Sequence, residues 1–389
     1  MSAESFYRDL TTESLICGRC GNCRNDCPVY RAIGWESAAP RAKISLTREI
    51  FARRDKTQFS SAYAQRISQC TLCGACTRFC AARINLQSLW QDLRRQLVVN
   101  GKAPAAYTAL TANLKNKKNI STMGNESRLD WAEDLEDIPD YLDQAPAAEV
   151  AYFVGCVSSF FPRAAQVPLA MVPLLDRAGV RYTTLGVEEW CCGFPLLAAG
   201  QAEEIKEFAR HNVMALQRLG IQTLVTGCPS CYHIWSHVYP ELLGAKPDVR
   251  IVHAAEFLVE LLHSGKLLPK ERCETVTYHD PCDLGRNSGV IDAPRQILRS
   301  IPGLKFIEMM THGEEARCCG GGGNLQGVDA PLADAIACQR IREAAETGAT
   351  IVLSACQQCE QMLEKAARTE KLSLRVMDLT EFLLMALEE

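Results

Sequence analysis

Short apolar runs and amphipathic helical patterns alternate along the last two thirds of the chain. Four apolar runs rich in β-branched or aromatic residues cover residues 150–154, 224–226, 276–278 and 351–353. Runs of this length and composition are typical of buried parallel strands. Apolar residues recur at helical spacing in 202–219 and 332–346, and Gly220 and Gly348 are suited to the left-handed position that ends a helix. The pattern predicts two α/β units with open parallel sheets.

The pattern changes ahead of residue 149. From 44 to 67 apolar residues keep largely to helical spacing. They are Leu46, Ile50, Phe51, Phe59, Tyr63 and Ile67. The fold class is therefore α+β, with a helical N-terminal domain in front of two α/β repeats. We place the helical domain at 1–116, a linker at 117–148 and the repeats at 149–265 and 266–389.

The linker is strongly acidic. Between residues 126 and 143 eight acidic side chains stand against the single basic Arg128, and Pro139 and Pro146 interrupt regular structure. Two interpretations fit this composition, a solvated interdomain connector or a docking strip for a basic partner.

Composition excludes several classes of function. A net charge of −4 over 389 residues offers no basic footprint for nucleic acid. The N-terminal residues show no secretory signal, and no apolar window is long enough for a transmembrane segment. We expect a cytoplasmic chain, or one held at the periphery of a membrane by a partner. The 20 cysteines then indicate metal or redox chemistry rather than disulfides.

Eight cysteines form two runs with C-x2-C-x2-C-x3-C spacing. The runs are Cys17, Cys20, Cys23 and Cys27, and Cys70, Cys73, Cys76 and Cys80. In such runs three thiolates wrap one cubane [4Fe–4S] cluster and the fourth reaches the neighbouring cluster. The first four-cysteine set is then Cys17, Cys20, Cys23 and Cys80, and the second is Cys70, Cys73, Cys76 and Cys27. Structural zinc is the alternative, but zinc knuckles do not need so closely spaced a third and fourth cysteine. The spacing predicts a helical two-cluster ferredoxin domain.

Ten further cysteines belong to an internal repeat. The first five-cysteine set is Cys156, Cys191, Cys192, Cys228 and Cys231, and the second is Cys282, Cys318, Cys319, Cys356 and Cys359. The offsets from Cys156 to Cys282, from Cys192 to Cys319 and from Cys231 to Cys359 are 126, 127 and 128 residues. Several of these cysteines follow predicted strands, at the sheet edge where ligands of α/β folds gather.

Five thiolates exceed the four ligands of a zinc ion or an ordinary [4Fe–4S] cluster. The fifth must bridge, bind additional iron or stand free beside the cluster. Adjacent cysteines can face one object only where the backbone turns around it, and Gly193 and the glycines at 320–323 allow that turn. A phosphate loop is the other interpretation of the glycine run, but no Lys-Ser/Thr follows it.

These motifs resemble a known family. The segments EWCCG at 189–193, YHDPCDLGR at 278–286, APRQILRSIPGLKFIEM at 293–309 and RCCGGGGN at 317–324 are similar to those of the catalytic D subunit of heterodisulfide reductase and its CCG-domain relatives. The resemblance covers nearly the whole chain. It implies a noncubane [4Fe–4S] cluster on each five-cysteine set, in addition to the two cubane clusters. It also implies an oxidoreductase subunit of anaerobic metabolism that reduces a disulfide.

The resemblance leaves the chemistry open at one position. Family members that reduce heterodisulfides commonly have histidine after the first cysteine of the second repeat, where this chain has Asp283. His279 and His233 are candidate substitutes as proton donors, or they are histidines satisfied by local hydrogen bonds. The alternative function is pure electron transfer, as in relatives that serve glycolate or lactate dehydrogenases or benzoyl-CoA reductases.

The remaining expectations concern partners and unused thiols. No strand-linked G-x-G-x-x-G motif for flavin or nicotinamide is present, so we expect the electron donor to be a flavoprotein or another redox subunit in a complex. A small disulfide is the expected substrate. Cys273 and Cys338 belong to no set, and we expect them to be small buried hydrophobic residues.

Overall fold

Helices make up the N-terminal third of the computed structural model, which describes residues 10–52, 59–145 and 148–388. The helices there are α1 Leu10–Ile16, α2 Asn22–Asn25, α3 Pro28–Ile33, α4 Pro40–Phe51, α5 Ser61–Ser68, α6 Ala75–Arg78, α7 Leu86–Val99 and α8 Ala105–Lys117, with a 3₁₀ turn at Glu36–Ala38. The predicted helical domain is therefore present. No helix in the described ranges is both long and apolar enough to cross a bilayer.

The helical spacing predicted over 44–67 is divided between α4 and α5, and residues 53–58 lie outside the described ranges. The Ser60 side chain caps α5 by accepting a hydrogen bond from the Tyr63 amide. Ile44, Tyr63 and Ile67 are buried as expected, whereas Leu46 is 40% exposed. Leu46 departs from the expectation because α4 buries positions 40, 43, 44 and 47, which form one helical face without it.

Four parallel strands form the sheet of the first repeat, in the order β2-β1-β3-β4. They are β1 Val150–Phe153, β2 Tyr182–Thr183, β3 Thr223–Thr226 and β4 Arg250–His253. The helices are α9 Cys156–Phe160, α10 Gln166–Arg177, α11 Phe194–Ala198, α12 Ile205–Leu219, α13 Pro229–His233, α14 Tyr239–Leu243 and α15 Ala254–His263, with 3₁₀ turns at Gly186–Glu188 and Ala202–Glu204 and a π-helical turn at Ile234–Val238. The two predicted strands are the central ones.

The second repeat has the same topology, with strand order β6-β5-β7-β8 and all pairs parallel. Its strands are β5 Thr275–Tyr278, β6 Lys305–Phe306, β7 Ile351–Ser354 and β8 Arg375–Asp378. Its helices are α16 Asp292–Ser300, α17 Leu325–Val328, α18 Ala330–Ala345, α19 Gln357–Thr369 and α20 Leu379–Leu387, with a 3₁₀ turn at Gly313–Glu315. Gly220 after α12 and Gly348 after α18 both have the predicted positive φ.

The two repeats pack against each other through reciprocal helix contacts. Helix α10 contacts α20, and the equivalent pair α16 and α15 is also in contact. One hydrophobic core spans both units, from Met171 and Leu258 of the first repeat to Leu298 and Phe382 of the second. Two units in equivalent contact through opposite helices are related by an approximate two-fold axis. The carboxyl ends of both sheets are thereby held in fixed relation to each other.

The acidic segment differs in part from a solvated connector. All eight acidic side chains between 126 and 143 are exposed, as expected. However, the segment contains 3₁₀ turns at Asn125–Ser127 and Asp130–Asp134, and Arg128 and Trp131 are buried against the first repeat. Pro146 lies outside the described residues. The segment is anchored through buried non-acidic side chains, among them Arg128 and Trp131.

The expectation for the two unused thiols is wrong. Cys273 is exposed in the loop that precedes β5, and Cys338 is only half-buried on α18. Cys273 lies outside any helix or strand, whereas Cys338 packs, only partly buried, against a hydrophobic core cluster and lies beside Glu370 and Arg342. Both thiols stand apart from the eighteen others, which makes them useful controls.

Candidate functional site

The two ferredoxin-like runs adopt the same loop conformation. In each run a glycine with positive φ, Gly21 or Gly74, lies between the second and third cysteine and starts a short helix. A second residue with positive φ precedes each second cysteine by one position, Arg19 in the first run and Leu72 in the second. Paired left-handed residues curl the backbone of each run into a tight loop.

The fourth cysteine of each run lies beside the other run. Burial, with smaller contributions from the nearby Cys70 and Cys73, raises the pKa of Cys27 to about 12. Burial likewise raises the pKa of Cys23 to about 12, with contributions from Cys17, Cys27, Cys80 and Cys20. The structure thus brings Cys27 to the second run and Cys80 to the first. This is the crossover that two adjacent cubane clusters require.

The five thiols of the first five-cysteine set form one continuous chain of contacts. Cys156 contacts Cys191, Cys191 contacts Cys192, Cys192 contacts Cys231, and Cys231 contacts Cys228. Hydrogen bonds from Cys191 and Cys231 lower the pKa of Cys192 to about 6. Cys192 is therefore the middle thiol of this set, with two other thiols of the set on each side of it.

The second five-cysteine set repeats this order of contacts. The chain runs from Cys282 through Cys318, Cys319 and Cys359 to Cys356, and the sulfurs of Cys319 and Cys359 lie 3.1 Å apart. Hydrogen bonds from Cys318 and Cys359 lower the pKa of Cys319 to about 5. Equivalent cysteines therefore occupy equivalent places in both repeats.

A metal cluster with five thiolate ligands fits these surroundings. Eight of the ten cysteines are buried, Cys228 and Cys282 are half-buried, and all ten converge where β1, β3, β5 and β7 end. Gly155 precedes Cys156 with φ +80°, and a Cβ built there would lie 3.3 Å from the Cys231 sulfur. The glycine thus leaves room beside the thiols. A tetrahedral zinc ion would leave one thiol of each set without a metal.

A buried arginine from the acidic segment reaches the first five-cysteine set. Arg128 pairs with Glu189 at 2.6 Å, and its Nη2 donates to the Cys156 sulfur at 3.4 Å. Glu189 in turn accepts hydrogen bonds from the amides of Val154 and Gly155. Sequence reasoning missed both roles. The available signals were one basic residue among eight acidic ones and a glutamate two residues before Cys191.

Replacing Arg128 with methionine is expected to lower the reduction potential at the first five-cysteine set. The change removes a positive charge and a hydrogen bond that both favour the more negative, reduced state. We expect a shift of about 60 mV or more, equivalent to a tenfold change in a one-electron equilibrium. Redox titration followed by electron paramagnetic resonance measures it. Arg128→Lys should recover part of the shift, and an unchanged potential in Arg128→Met would contradict the assignment.

His279 lies behind the second five-cysteine set. One of its ring nitrogens is within 4.8 Å of the sulfurs of Cys319 and Cys359. Its Nδ1 accepts a hydrogen bond from Nε of Arg340 at 2.9 Å, because a guanidinium can only donate. Burial, and then the charge of Arg340, lower the pKa of His279 to about 3. The histidine is therefore neutral and carries its proton on Nε2.

Asp283 and the second candidate proton donor, His233, make hydrogen bonds separate from those of His279. Asp283 is buried and accepts hydrogen bonds from Oγ of Ser230 at 2.7 Å and Nδ2 of Asn287 at 2.8 Å. His233 Nδ1 lies 3.0 Å from the Ser288 hydroxyl, and its ring stacks on His237. Asp283 connects the two repeats, since Ser230 belongs to the first and Asn287 to the second.

The two five-cysteine sets face a common cleft of about 330 Å³. Nine of their ten cysteines line it, all except Cys318. Asp283 lies on its wall, and Tyr107 and Leu110 of α8 close it from the ferredoxin-like domain. A cavity at the carboxyl ends of parallel strands is the usual position of a ligand site in α/β proteins.

The ferredoxin-like domain contacts the second repeat through cysteines. Cys73 of the second four-cysteine set contacts Cys318, and Cys282 packs beside them. Arg286 donates a hydrogen bond to the Cys73 carbonyl at 2.7 Å. The second four-cysteine set therefore abuts the second five-cysteine set.

The glycine run explains how the backbones approach so closely. A Cβ built on Gly322 would lie 2.6 Å from the Thr71 carbonyl oxygen, and one on Gly323 would lie 2.3 Å from the Cys70 carbonyl oxygen. Contacts this short with main-chain atoms cannot be relieved by a side-chain rotation. The run therefore serves domain packing, in addition to the backbone turn that the sequence predicts there.

Gly323→Ala is expected to separate the ferredoxin-like domain from the second repeat. Iron content should stay within about 10% of wild type because no thiol is touched. Electron transfer between the domains should slow at least tenfold, since the Cys73–Cys318 contact opens. Stopped-flow reduction followed by rapid freezing measures that rate. Gly348→Ala is the control for a glycine with positive φ and no neighbour near its Cβ. Equal electron-transfer rates in Gly323→Ala and Gly348→Ala would contradict a role of Gly323 in domain packing.

Comparison with known families agrees with the site. A 4Fe–4S dicluster domain matches residues 13–84, and the cysteine-rich CCG domain matches residues 150–234 and 276–364. A hypothetical protein from Helicobacter pylori has a similar structure, with a TM-score of 0.61 and 13% identity over 98% of this chain and 71% of that one. At that identity the likeness shows the fold alone.

Several relatives share most of the chain. The D subunit of dihydromethanophenazine:CoB–CoM heterodisulfide reductase from Methanosarcina mazei is 35% identical, covering 98% of this chain and 96% of that protein. The B subunit of fumarate reductase (CoM/CoB) from Methanothermobacter marburgensis and EtfAB:quinone oxidoreductase from Syntrophomonas wolfei are each 28% identical, and the chain covers 73% and 58% of them. The relatives are named oxidoreductases or their subunits, and the matched domains bind iron–sulfur clusters. The chain belongs to the family of iron–sulfur electron-transfer proteins that includes the D subunit of heterodisulfide reductase.

Proposed function

We propose that the chain receives electrons through two cubane [4Fe–4S] clusters and reduces a small disulfide in the cleft between two noncubane clusters. The observation that carries the proposal is the common cleft, which nine cysteines of both five-cysteine sets line. A two-electron substrate needs two one-electron sites within reach. The cleft places both five-cysteine sets on one shared space, as a two-electron substrate would require.

The ligand assignment follows the sets defined above. The two four-cysteine sets hold the cubane clusters, and the two five-cysteine sets hold the noncubane clusters. The bound clusters supply one-electron transfer at each site. Reduction consumes two electrons and two protons per disulfide, breaks its S–S bond and releases two thiols.

Contacts between the sets support an order in which the centres exchange electrons. Cys20 is exposed, which makes the first four-cysteine set the place for a donor protein to dock. Cys27 joins the two runs, and Cys73 contacts Cys318. Electrons from the ferredoxin-like domain therefore reach the second repeat before the first. The donor is a flavoprotein or another redox subunit of a complex.

The residues around the cleft hold its two walls in place. Ser230 and Asn287 hold the Asp283 carboxylate from opposite repeats. Gln357 of the second repeat donates to the Gly227 carbonyl of the first at 3.1 Å. Arg128 and His279 lie behind the two sets and fix thiol environments without facing a substrate. These contacts make the cleft rigid.

The proposal is tested with anaerobically purified, iron-loaded protein. Reduced methyl viologen serves as donor, small disulfides are added, and released thiols are counted after subtracting the uncatalysed rate. We expect two thiols for every two viologen radicals oxidised. Absence of turnover with every disulfide would contradict the proposal.

One observation favours pure electron transfer as the second candidate. Both carboxylate oxygens of Asp283 already accept hydrogen bonds, so the side chain that replaces the histidine of the family is occupied. Under this alternative, the chain copurifies with a catalytic partner and passes electrons to it without reducing disulfides. Isolation of the native complex, followed by the thiol assay, separates the two functions.

A further inference from the structure

Positive charge is concentrated in the ferredoxin-like domain. Residues 1–116 contain 17 lysine and arginine side chains against 8 aspartate and glutamate side chains, a net charge of +9. The rest of the chain contains 25 basic against 38 acidic side chains, a net charge of −13. Two [4Fe–4S] clusters with four thiolates each carry about −2 apiece, so the loaded domain remains positive. The charge of −4 for the whole chain therefore hides a basic domain attached to two acidic repeats.

Two arginines lie beside the exposed thiol of the first four-cysteine set. Arg19 precedes Cys20, and both are exposed. Arg83 is also exposed, and it follows Cys80, which the fold brings beside the first run. Neither arginine has an ion-pair partner among the residues that the structure describes, and Asp26 is the one acidic residue within the first run. Both charges are permanent, because a guanidinium does not lose its proton in proteins.

A second group of arginines lies at the same loop. Arg24 of α2 and Arg41 of α4 both pair with Glu36, at 3.4 and 2.7 Å. One carboxylate balances only one of the two guanidinium groups. A Cβ built on Gly21, next to Cys20, would lie 3.0 Å from Nη1 of Arg41, which places that arginine against the loop. This group adds one unbalanced positive charge to the two beside Cys20.

Large apolar side chains are exposed next to these charges. Leu15 and Ile16 of α1 directly precede the first run and are 60% and 49% exposed. Trp35, at the start of the 3₁₀ turn that contains Glu36, is 72% exposed. Helix α1, helix α2 and this turn all contact α4, which holds them beside one another. Protein interfaces combine arginine with apolar and aromatic side chains in this way.

The backbone of this region is fixed from within the domain. Nη2 of Arg48 on α4 donates hydrogen bonds to the carbonyls of Ser14 at 2.6 Å and Leu15 at 3.4 Å. The end of α1 is therefore held in place before any partner arrives. A surface that is ordered in advance loses little conformational freedom on binding.

The exposed residues of this region form what we call the docking face, namely Leu15, Ile16, Arg19, Cys20, Trp35 and Arg83. We infer that the docking face binds a redox protein that presents acidic side chains around an apolar patch. The inference rests on the proposed entry of electrons at the first four-cysteine set, and it names the kind of donor. Complementary charge steers the encounter, and the exposed cluster thiol favours a redox protein over a lipid or a nucleic acid.

The test uses the full-length, iron-loaded protein and a plant-type [2Fe–2S] ferredoxin, a small acidic redox protein, as the probe. Electron exchange is followed by stopped-flow absorbance, from reduced ferredoxin to oxidised protein and in the reverse direction. We expect the second-order rate constant to fall at least tenfold between about 20 and about 500 mM ionic strength, because salt screens the attraction. Reduced methyl viologen is cationic and should show no such fall. Absence of exchange in both directions, or a rate constant that salt does not lower, would overturn the inference.

Paired variants locate the contact. Arg19→Gln combined with Arg83→Gln removes two charges of the docking face and should lower the ratio of ferredoxin to viologen rate constants at least fivefold at low ionic strength. Lys102→Gln combined with Lys117→Gln removes two exposed charges after α7 and at the end of α8, and should leave the ratio within twofold. Iron content verifies that the clusters are loaded. Equal ratios in the two double variants would overturn the inference.

A single apolar change tests the other component of the docking face. Leu15→Ser should lower the same ratio at least threefold at low and at high ionic strength, since salt does not screen an apolar contact. Leu268→Ser changes a leucine that is 73% exposed in the loop between α15 and β5, and it should have no effect. An equal ratio in these two variants would contradict the apolar contact.

Two further results separate the possible occupants and functions. Oligomers of wild type at low ionic strength that the double arginine variant does not form, seen by sedimentation velocity, would overturn the inference, since the face would then bind the acidic repeats of a second copy. Disulfide turnover with viologen but no exchange with ferredoxin would overturn this inference alone. Exchange with ferredoxin but no disulfide turnover would overturn disulfide reduction alone.

Discussion

Cys319→Ser is expected to abolish cluster binding at the second five-cysteine set and leave the other three sites loaded. Cys319 is the middle of its chain of contacts, between Cys318 and Cys359. Serine is a poor substitute for a thiolate iron ligand, so the set of five cysteines that would hold the cluster becomes incomplete. Iron per chain should fall from about 16 to about 12 atoms. Colorimetric iron and acid-labile sulfide assays measure the loss.

The chain provides its own controls for this experiment. Cys192→Ser is the equivalent change in the first repeat and should cause the same loss of iron. Cys338→Ser and Cys273→Ser alter thiols outside every set and should retain full iron. Full iron content in Cys319→Ser would contradict the five-thiolate assignment. An equal loss of iron in Cys338→Ser would show that iron content does not depend on whether a cysteine belongs to one of the four sets.

Arg94→Met is expected to lower the free energy of unfolding by about 3–5 kcal/mol, the range for breaking a buried charged network. Arg94 is fully buried on α7 and donates to carbonyls of all three domains. It reaches Ser68 at 2.9 Å, Ala198 of the first repeat at 2.6 Å and Gly323 of the second at 2.8 Å. Methionine fills similar space but leaves these carbonyls without their donor.

Anaerobic urea unfolding measures the effect of Arg94→Met. Lys102→Met is the matched control, since it removes one positive charge from an exposed position on the same domain. Its unfolding free energy should stay within about 0.5 kcal/mol of wild type. We also expect the Arg94 variant to unfold in more than one step, because the arginine joins three units. A single unchanged transition would show that the domains are held together elsewhere.

The cysteine pattern predicts most of the site because spacing is a local property. The runs at Cys17 and Cys70 and the repeat with offsets of 126 to 128 residues locate all eighteen thiols of the sets. The strands before Cys156, Cys228, Cys282 and Cys356 are also predicted, since they are largely buried and appear in the sequence as continuous apolar runs.

The residues that connect distant segments could not be predicted in this way. Strands β2 and β6 have only two residues each, too few to show a periodicity. The contacts of Arg128 with Cys156 and of Arg94 with Gly323 join positions far apart in the chain, and their partners are main-chain or thiol groups without a sequence signature. Leu46 is a residue that the sequence pattern predicts wrongly. Its apolar side chain fits the helical spacing but lies off the buried face of α4.

Oxidation of the fully reduced protein by one equivalent of a neutral disulfide tests whether the chain itself reduces disulfides. The protein is reduced, freed of reductant and mixed with bis(2-hydroxyethyl) disulfide in a stopped-flow instrument while cluster absorbance and thiols are followed. We expect two electrons to leave the protein for each disulfide and two thiols to appear at the same rate. A protein that stays reduced with the disulfide, yet is oxidised at once by a redox protein, would contradict it.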